Sequence, residues 1–350
     1  MFGFNVKTYG PLSLTLILML AAVGCKSTGG NSGVSSSNRS SQSTIPQVVR
    51  FTIWLDILDK DIGGNSPAKA ADKLLDGSAR AAVFNLQGLG RLYADTDSSF
   101  DKARKRFKAL EDGIGGFEKW NDLYDKAKEN GSSAGAIKKL ETKRDAAKAA
   151  LEAMLVSEKY IPADGSKGYL ETFRSFLNKF PWKTPEEDRL IMLGKLKSEL
   201  ETVKTTQYDF THLEEGNGIH EFRRKMRWIS MEARALNGLV IHKPLADGCP
   251  VEVWKDLATS SYASSKYGAL PPSAMEKSPT AVTPCLYVRI AKAIDQLGSI
   301  KDSLEAADNI NEGEASDGSL PADQAAVQAI LDEMLKNDLF GKLQAELSVK

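Results

Sequence analysis

Thr184-Pro-Glu-Glu-Asp-Arg-Leu-Ile-Met-Leu-Gly-Lys-Leu-Lys-Ser-Glu-Leu-Glu-Thr-Val203 is the stretch that decides the fold. It opens with a threonine that can cap a helix, a proline at the first helical position and Glu187 at the third. That arrangement satisfies the free N–H groups of a first helical turn. Beyond this start, Leu193, Leu196, Leu200 and Val203 recur at intervals of three and four and so share one face of a helix. A stripe of this kind must be buried against a neighbouring element. No alternating run with hairpin turns competes with it anywhere after residue 47, so the neighbours are expected to be helices as well.

The same pattern extends in both directions. Ser66-Pro67 opens a helix that Gly77 closes, and Ser78 caps another through Leu89. Ser98 or Ser99 begins a third, with Phe100, Ala103, Phe107 and Leu110 on one face, while Phe117, Trp120, Tyr124 and Ala127 form a further stripe stopped by Asn130-Gly131. Gly113-Ile-Gly-Gly reads as the connection between these two. A long helix over 135–156 carries Ile137, Leu140, Ala147, Leu151 and Met154, and a later one carries Phe222, Met226, Ile229, Ala233 and Leu236. The fold class is therefore all-α, a multi-helix bundle. Three Ala-rich segments, Ser78-Ala-Arg-Ala-Ala-Val, Lys143-Arg-Asp-Ala-Ala-Lys and Asp323-Gln-Ala-Ala-Val-Gln, suggest that the bundle is built from irregular helix-pair repeats. Residues 47–244 read as one helical domain and 245–284, rich in Ser, Pro and Tyr, as an irregular excursion. Residues 285–350 read as C-terminal helices interrupted by an acidic linker over 309–319.

The amino terminus has a different character. One lysine precedes an uncharged apolar run over 12–23, which is too short to span a bilayer but long enough for the core of a signal peptide. The run closes on Ala22-Val23-Gly24-Cys25, small residues placed directly before a cysteine, and this resembles the lipobox of bacterial lipoproteins. The resemblance implies a signal peptide over 1–24, cleavage before Cys25 and a diacylglyceryl group on its sulfur. Residues 25–46 follow as a Ser/Gly/Asn-rich stretch almost devoid of groups that could be buried, so they read as a flexible tether with a reach of roughly 25 Å. Two or three acyl chains, at about 0.8 kcal/mol per buried methylene, would make the attachment effectively permanent.

Charge and cysteine usage narrow the function. The 46 Lys and Arg residues equal the 46 Asp and Glu residues, so no global field directs the chain to nucleic acid or to anionic lipid. Locally, every charged residue from Asp302 to Glu333 is acidic, whereas Arg223, Arg224, Lys225 and Arg227 form a basic cluster beside Trp228. Arg and Trp are over-represented among interface anchors, which makes Arg223, Arg224, Arg227 and Trp228 the candidate partner-binding face. Beyond Cys25, two cysteines remain, Cys249 and Cys285. They can form a disulfide in an exported protein, or stay as two buried thiols.

Signals for catalysis are weak. His212-Leu-Glu-Glu-Gly-Asn-Gly-Ile-His220-Glu221 gathers two imidazoles and three carboxylates, and a metal-dependent hydrolase would centre on His212, Glu215 and His220. Gly216-Asn217-Gly218, however, breaks any helix that could place the two histidines one turn apart, so a polar loop is the preferred reading. The chain has neither a phosphate-binding Gly-Lys-Ser/Thr loop nor Gly-x-Ser-x-Gly, and the sequence implies no cofactor. A lipobox, a Ser/Gly/Asn tether and a helical body without enzyme motifs together resemble the surface lipoproteins of Borrelia-type spirochaetes, in particular the larger relapsing-fever lipoproteins built from helical units. The resemblance implies a lipid-anchored protein of the outer membrane, displayed at the cell surface and engaging a host or envelope protein without catalysis, in adhesion or immune evasion; besides the hydrolase, the alternative is an inward-facing periplasmic adaptor.

Overall fold

In the computed structural model, whose described residues are 45–75, 78–210, 217–245, 248–259, 261–273, 276–310 and 324–348, Thr184 closes the capping box expected of it. Its Oγ1 accepts the Glu187 N–H at 3.3 Å, and the Glu187 carboxylate accepts the Thr184 N–H at 3.0 Å. The helix so started, α7 (Pro185–Thr205), buries Leu193, Leu196, Leu200 and Val203. It belongs to a single compact unit that begins at Ser43. Cys25 and the tether lie outside the described residues.

The other helices run in chain order. Six precede α7: α1 (Pro46–Ile62), α2 (Pro67–Leu75), α3 (Ala79–Tyr93), α4 (Ser98–Glu129), α5 (Ala134–Ser157) and α6 (Tyr169–Lys179). After it come α8 (Ile219–Ala235), α9 (Val251–Thr259), α10 (Pro284–Ile310), α11 (Gln324–Leu331), a π-helical turn at Asp332–Lys336, and α12 (Leu339–Glu346). The architecture is an all-α multi-helix bundle. Its centre is α3, whose residues 82–90 are buried without a break. A helix apolar on every side belongs in the middle of a bundle, and α3 packs on α1, α4 and α8. Gly90 permits the closest of these approaches, since a Cβ there would stand 2.8 Å from the Arg104 Cβ on α4.

Several local expectations change. Ser78 precedes α3 but makes no capping bond with its side chain. The two segments divided at Gly113-Ile-Gly-Gly are one helix of 32 residues, α4, about 48 Å long. Tertiary packing overrides glycine's poor helix propensity here: a Cβ on Gly113 would meet Leu151 at 3.0 Å, so the small residue lets α5 lie close. The Ala-rich repeat does not keep register, because Lys143 falls in the middle of α5 rather than at a helix start. Toward the tip of the α4–α5 hairpin, Ile137 and Leu140 are only half-buried.

The excursion over 245–284 is more ordered than its composition suggests. It contains α9 and is closed at its base by a two-stranded parallel sheet, β1 (Val240–His242) and β2 (Thr280–Val282), in the register Val240↔Thr280, Ile241↔Ala281 and His242↔Val282. A disulfide joins Cys249 to Cys285 at the start of α10. Beside it, Leu257 of α9 and Val288 of α10 are buried in a small satellite cluster. Helices from both sides of the excursion share the main core, which runs from Val48 to Leu347.

One polar network lies inside that core. Arg50 of α1 donates to the Tyr93 hydroxyl at 2.8 Å and to Asp188 of α7 at 2.6 Å, Tyr93 donates to Asp188 at 2.9 Å, and Arg50 is also paired with Glu276. A buried guanidinium needs such partners, because an uncompensated charge away from water is costly.

Candidate functional site

The basic residues singled out on α8 do not form one exposed face. Arg223 donates from its Nε to the Ile294 carbonyl on α10 at 2.8 Å. Gly298 makes the room, since a Cβ there would lie 2.5 Å from the Arg223 guanidinium. Arg224, half exposed, is held by a two-pronged bond to Glu221 on its own helix, at 2.6 and 2.9 Å. Arg227 lies over the Phe84 ring of α3 at 5.4 Å and has no carboxylate partner among the described residues. Trp228 is partly buried, meets Phe84 edge-on at 6.5 Å and carries the Arg91 guanidinium over its own ring at 4.9 Å.

Three of the four nevertheless converge. Arg224, Arg227 and Trp228 line a cleft of about 250 Å³ between α8, α3 and α4, and Arg223 does not. From α3 come Arg80, Phe84 and Gln87, and from α4 come Lys108, Glu111 and Asp112. The charges of the α4 wall are mutually satisfied: Lys108 bonds Glu111 at 3.1 Å and is also paired with Asp112, and Arg80 reaches Glu111 at 3.7 Å and is paired with Glu118. The opposite wall is not. The Nε of Arg80, the Nε of Arg227 and the Nε2 of Gln87, all buried, have no hydrogen-bond acceptor among the described residues. The cation that the cleft does present is the half-exposed Arg224, beside the Phe84 and Trp228 rings, a combination that suits recognition of an oxygen-bearing, partly apolar group.

Behind the cleft, Arg91 bonds both Glu232 of α8 at 2.7 Å and Glu199 of α7 at 2.9 Å. Desolvation would lower the Arg91 pKa, but the two carboxylates outweigh it and hold it above the ordinary arginine range. Glu232 is 1% exposed, and burial, helped by Glu199 and opposed by Arg91, pushes its pKa up to about 8.

The residues contributed by α3 and α4 escaped the sequence reading. A signal was present: Asn85 and Gln87 interrupt the apolar run over 82–90, and both prove to be buried. Of the residues proposed for a metal, His212 and Glu215 lie outside the described residues, and His220 is in the first turn of α8. Among the described residues no three His, Cys, Asp or Glu side chains converge as a metal site requires. No helix among them is long and apolar enough to cross a membrane. Comparison with family models, with curated proteins and with solved structures finds no match to this chain.

Proposed function

We propose that the chain is a lipoprotein of the bacterial outer membrane, held by acyl chains on Cys25 and displaying its helical body at the cell surface, where it binds a host or envelope protein without catalysis. The observation that carries the reading is the order of three segments: an apolar leader ending in Ala22-Val-Gly-Cys25, a polar stretch that cannot bury itself, and a compact unit that starts at Ser43. An anchor of this kind fixes where a domain works without requiring any chemistry of it.

The contact site in this reading is the cleft of Arg224, Arg227 and Trp228. Its half-exposed Arg224 lies beside aromatic surface, which favours a protein ligand presenting carboxylate or carbonyl oxygen next to an apolar side chain. The anchor is tested by changing Cys25→Ser in the full-length precursor and fractionating the cells. The wild type is expected in the membrane fraction and the variant outside it; equal membrane retention would overturn the anchor. Protease treatment of intact cells tests display, with loss of the protein meaning the outer face.

A further inference from the structure

Asparagine stands directly before glycine three times in the chain, at 130–131, 217–218 and 237–238. The pairing matters because glycine, having no Cβ, leaves its backbone nitrogen unhindered toward the preceding carboxamide. For the two groups to meet, the peptide unit between them must turn. The packing around that unit therefore decides which pair can react.

Two of the three pairs are held. Asn237 and Gly238 both have positive φ, and Gly238 is buried so closely that a Cβ there would stand 2.7 Å from the Ser273 Cα and 2.8 Å from the Pro272 carbonyl oxygen. The Asn217 carbonyl accepts the Asp209 N–H at 3.0 Å, and Gly218 is buried at the start of α8.

Asn130 and Gly131 differ on each count. They form the tip of the α4–α5 hairpin, where 128–131 and 133–136 are exposed and Ser132 is half-buried. A Cβ on Gly131 would meet nothing within 4 Å. The Asn130 side chain makes no hydrogen bond among the described residues, and the Gly131 N–H is tied only to the Lys128 carbonyl of its own turn, at 3.2 Å. A terminal turn of this kind opens without disturbing the core. Opening lets the Asn130 ψ leave its value of 1° and brings the Gly131 nitrogen to the carboxamide.

We infer that Asn130 is a site of spontaneous deamidation, a slow covalent change at the hairpin tip. The Gly131 nitrogen gives its proton to solvent base and attacks the Asn130 side-chain carbonyl carbon. A C–N bond forms, a cyclic imide closes, and the amide nitrogen leaves as ammonia. Water then opens the imide: attack at the side-chain carbonyl gives aspartate, and attack at the backbone carbonyl gives isoaspartate, whose main chain runs through the former side chain. No electrons are transferred, and water is the only reagent consumed. Either product places a carboxylate at the C-terminal end of α4, where the helix dipole disfavours it. Isoaspartate also adds a methylene to the main chain between the Ala127 carbonyl and the Ser132 N–H, now bonded at 2.9 Å, and so loosens the turn. The reaction does not depend on the function proposed above.

The test is incubation of the folded full-length protein in neutral and in mildly alkaline buffer, followed by cleavage after lysine and mass spectrometry against a zero-time sample. The peptide Glu129–Lys138 should convert from amide to acid with time, faster in the alkaline buffer, and separate into two isomers, one of which accepts methyl groups from protein isoaspartyl methyltransferase. Conversion at Asn130 should run at least about tenfold faster than at Asn237, which reacts only after its packing is undone. In denaturing urea the rates should come together. Asn130→Gln, whose longer side chain closes the ring poorly, should leave the peptide unconverted. A Glu129–Lys138 peptide that keeps its amide, equal conversion at Asn130 and Asn237 in the folded protein, or a lead of Asn130 that persists unchanged in urea overturns the inference.

Discussion

Arg50 and Asp188, 138 residues apart in the chain, are held 2.6 Å from each other with side-chain exposures of only 2% and 5%. The pair clamps the first helix of the body to the seventh, and Glu276 closes the other side of the same guanidinium. Replacing Arg50 with Met removes the cation and leaves two carboxylates facing each other in the core. The expected cost is about 3–5 kcal/mol in urea denaturation. A loss below about 1 kcal/mol would mean that the two acids simply take up protons at little expense.

Gly90 sits where α3 and α4 come closest. Gly90→Ala adds one methyl group 2.8 Å from the Arg104 Cβ, with the Phe100 carbonyl 3.1 Å away. Alanine's better helix propensity should be outweighed by overpacking, giving a net loss of about 1–3 kcal/mol by the same denaturation assay. A stabilised variant would show that the two helices part easily.

Glu346 gives the fold an acid limit. Burial alone would raise its pKa, but the Lys243 ammonium at 2.6 Å and the N–H and hydroxyl of Thr283 outweigh burial and hold it below the ordinary glutamate value of 4.5. Because the folded-state pKa is depressed, the contribution is present above the unfolded value and fades as pH falls through the folded one. Melting temperature measured from neutral pH downward should therefore fall below about pH 4.5, and Glu346→Gln should start lower and fall less.

Removing the Cys249–Cys285 bridge, by Ala at both positions, should cost about 2–4 kcal/mol, the usual entropic value for a loop of this order; the two cysteines are 36 residues apart. The satellite cluster around Leu257 should loosen first. Hydrogen exchange would then rise in α9 while α3 stays protected. Uniform loss of protection would show instead that the excursion is integral to the bundle.

Much of this was legible in the sequence. The Thr184 capping box and the Leu193, Leu196, Leu200 and Val203 stripe follow from spacing alone, since both are local rules. The long α4 was not legible: Gly113, Gly115 and Gly116 look like a break until α5 is known to lie against Gly113. Arg50 stands as one cation among Val48, Phe51 and Leu55, which hints at a buried pair, yet its partners come from residues 188 and 276. The cleft was half visible for the same reason. Arg224, Arg227 and Trp228 are neighbours in sequence, whereas Arg80, Gln87 and Lys108 join them only through packing.

Charge reversal tests that cleft directly. Arg224→Glu with Arg227→Glu should abolish capture of a partner by photocrosslinking on intact cells. The fold should lose no more than about 1–2 kcal/mol, the worth of one exposed ion pair, Arg224 with Glu221, and the two ring contacts of Arg227, with Phe84 and Tyr267. Unchanged capture would remove this surface from consideration, and Arg223→Glu is no substitute, because Arg223 is bonded to α10.

The bridge that staples the excursion also governs how the molecule responds to being cut. A proteinase acting once between residues 249 and 285 severs the backbone, yet the downstream piece stays tied to Cys249 and, through it, to everything upstream as far as the anchor proposed at Cys25. Such nicked molecules would still sediment with membranes and run as one band until a reductant separates the halves. Shaving experiments on this protein should therefore be resolved on gels with and without thiol, or an accessible molecule will be scored as untouched.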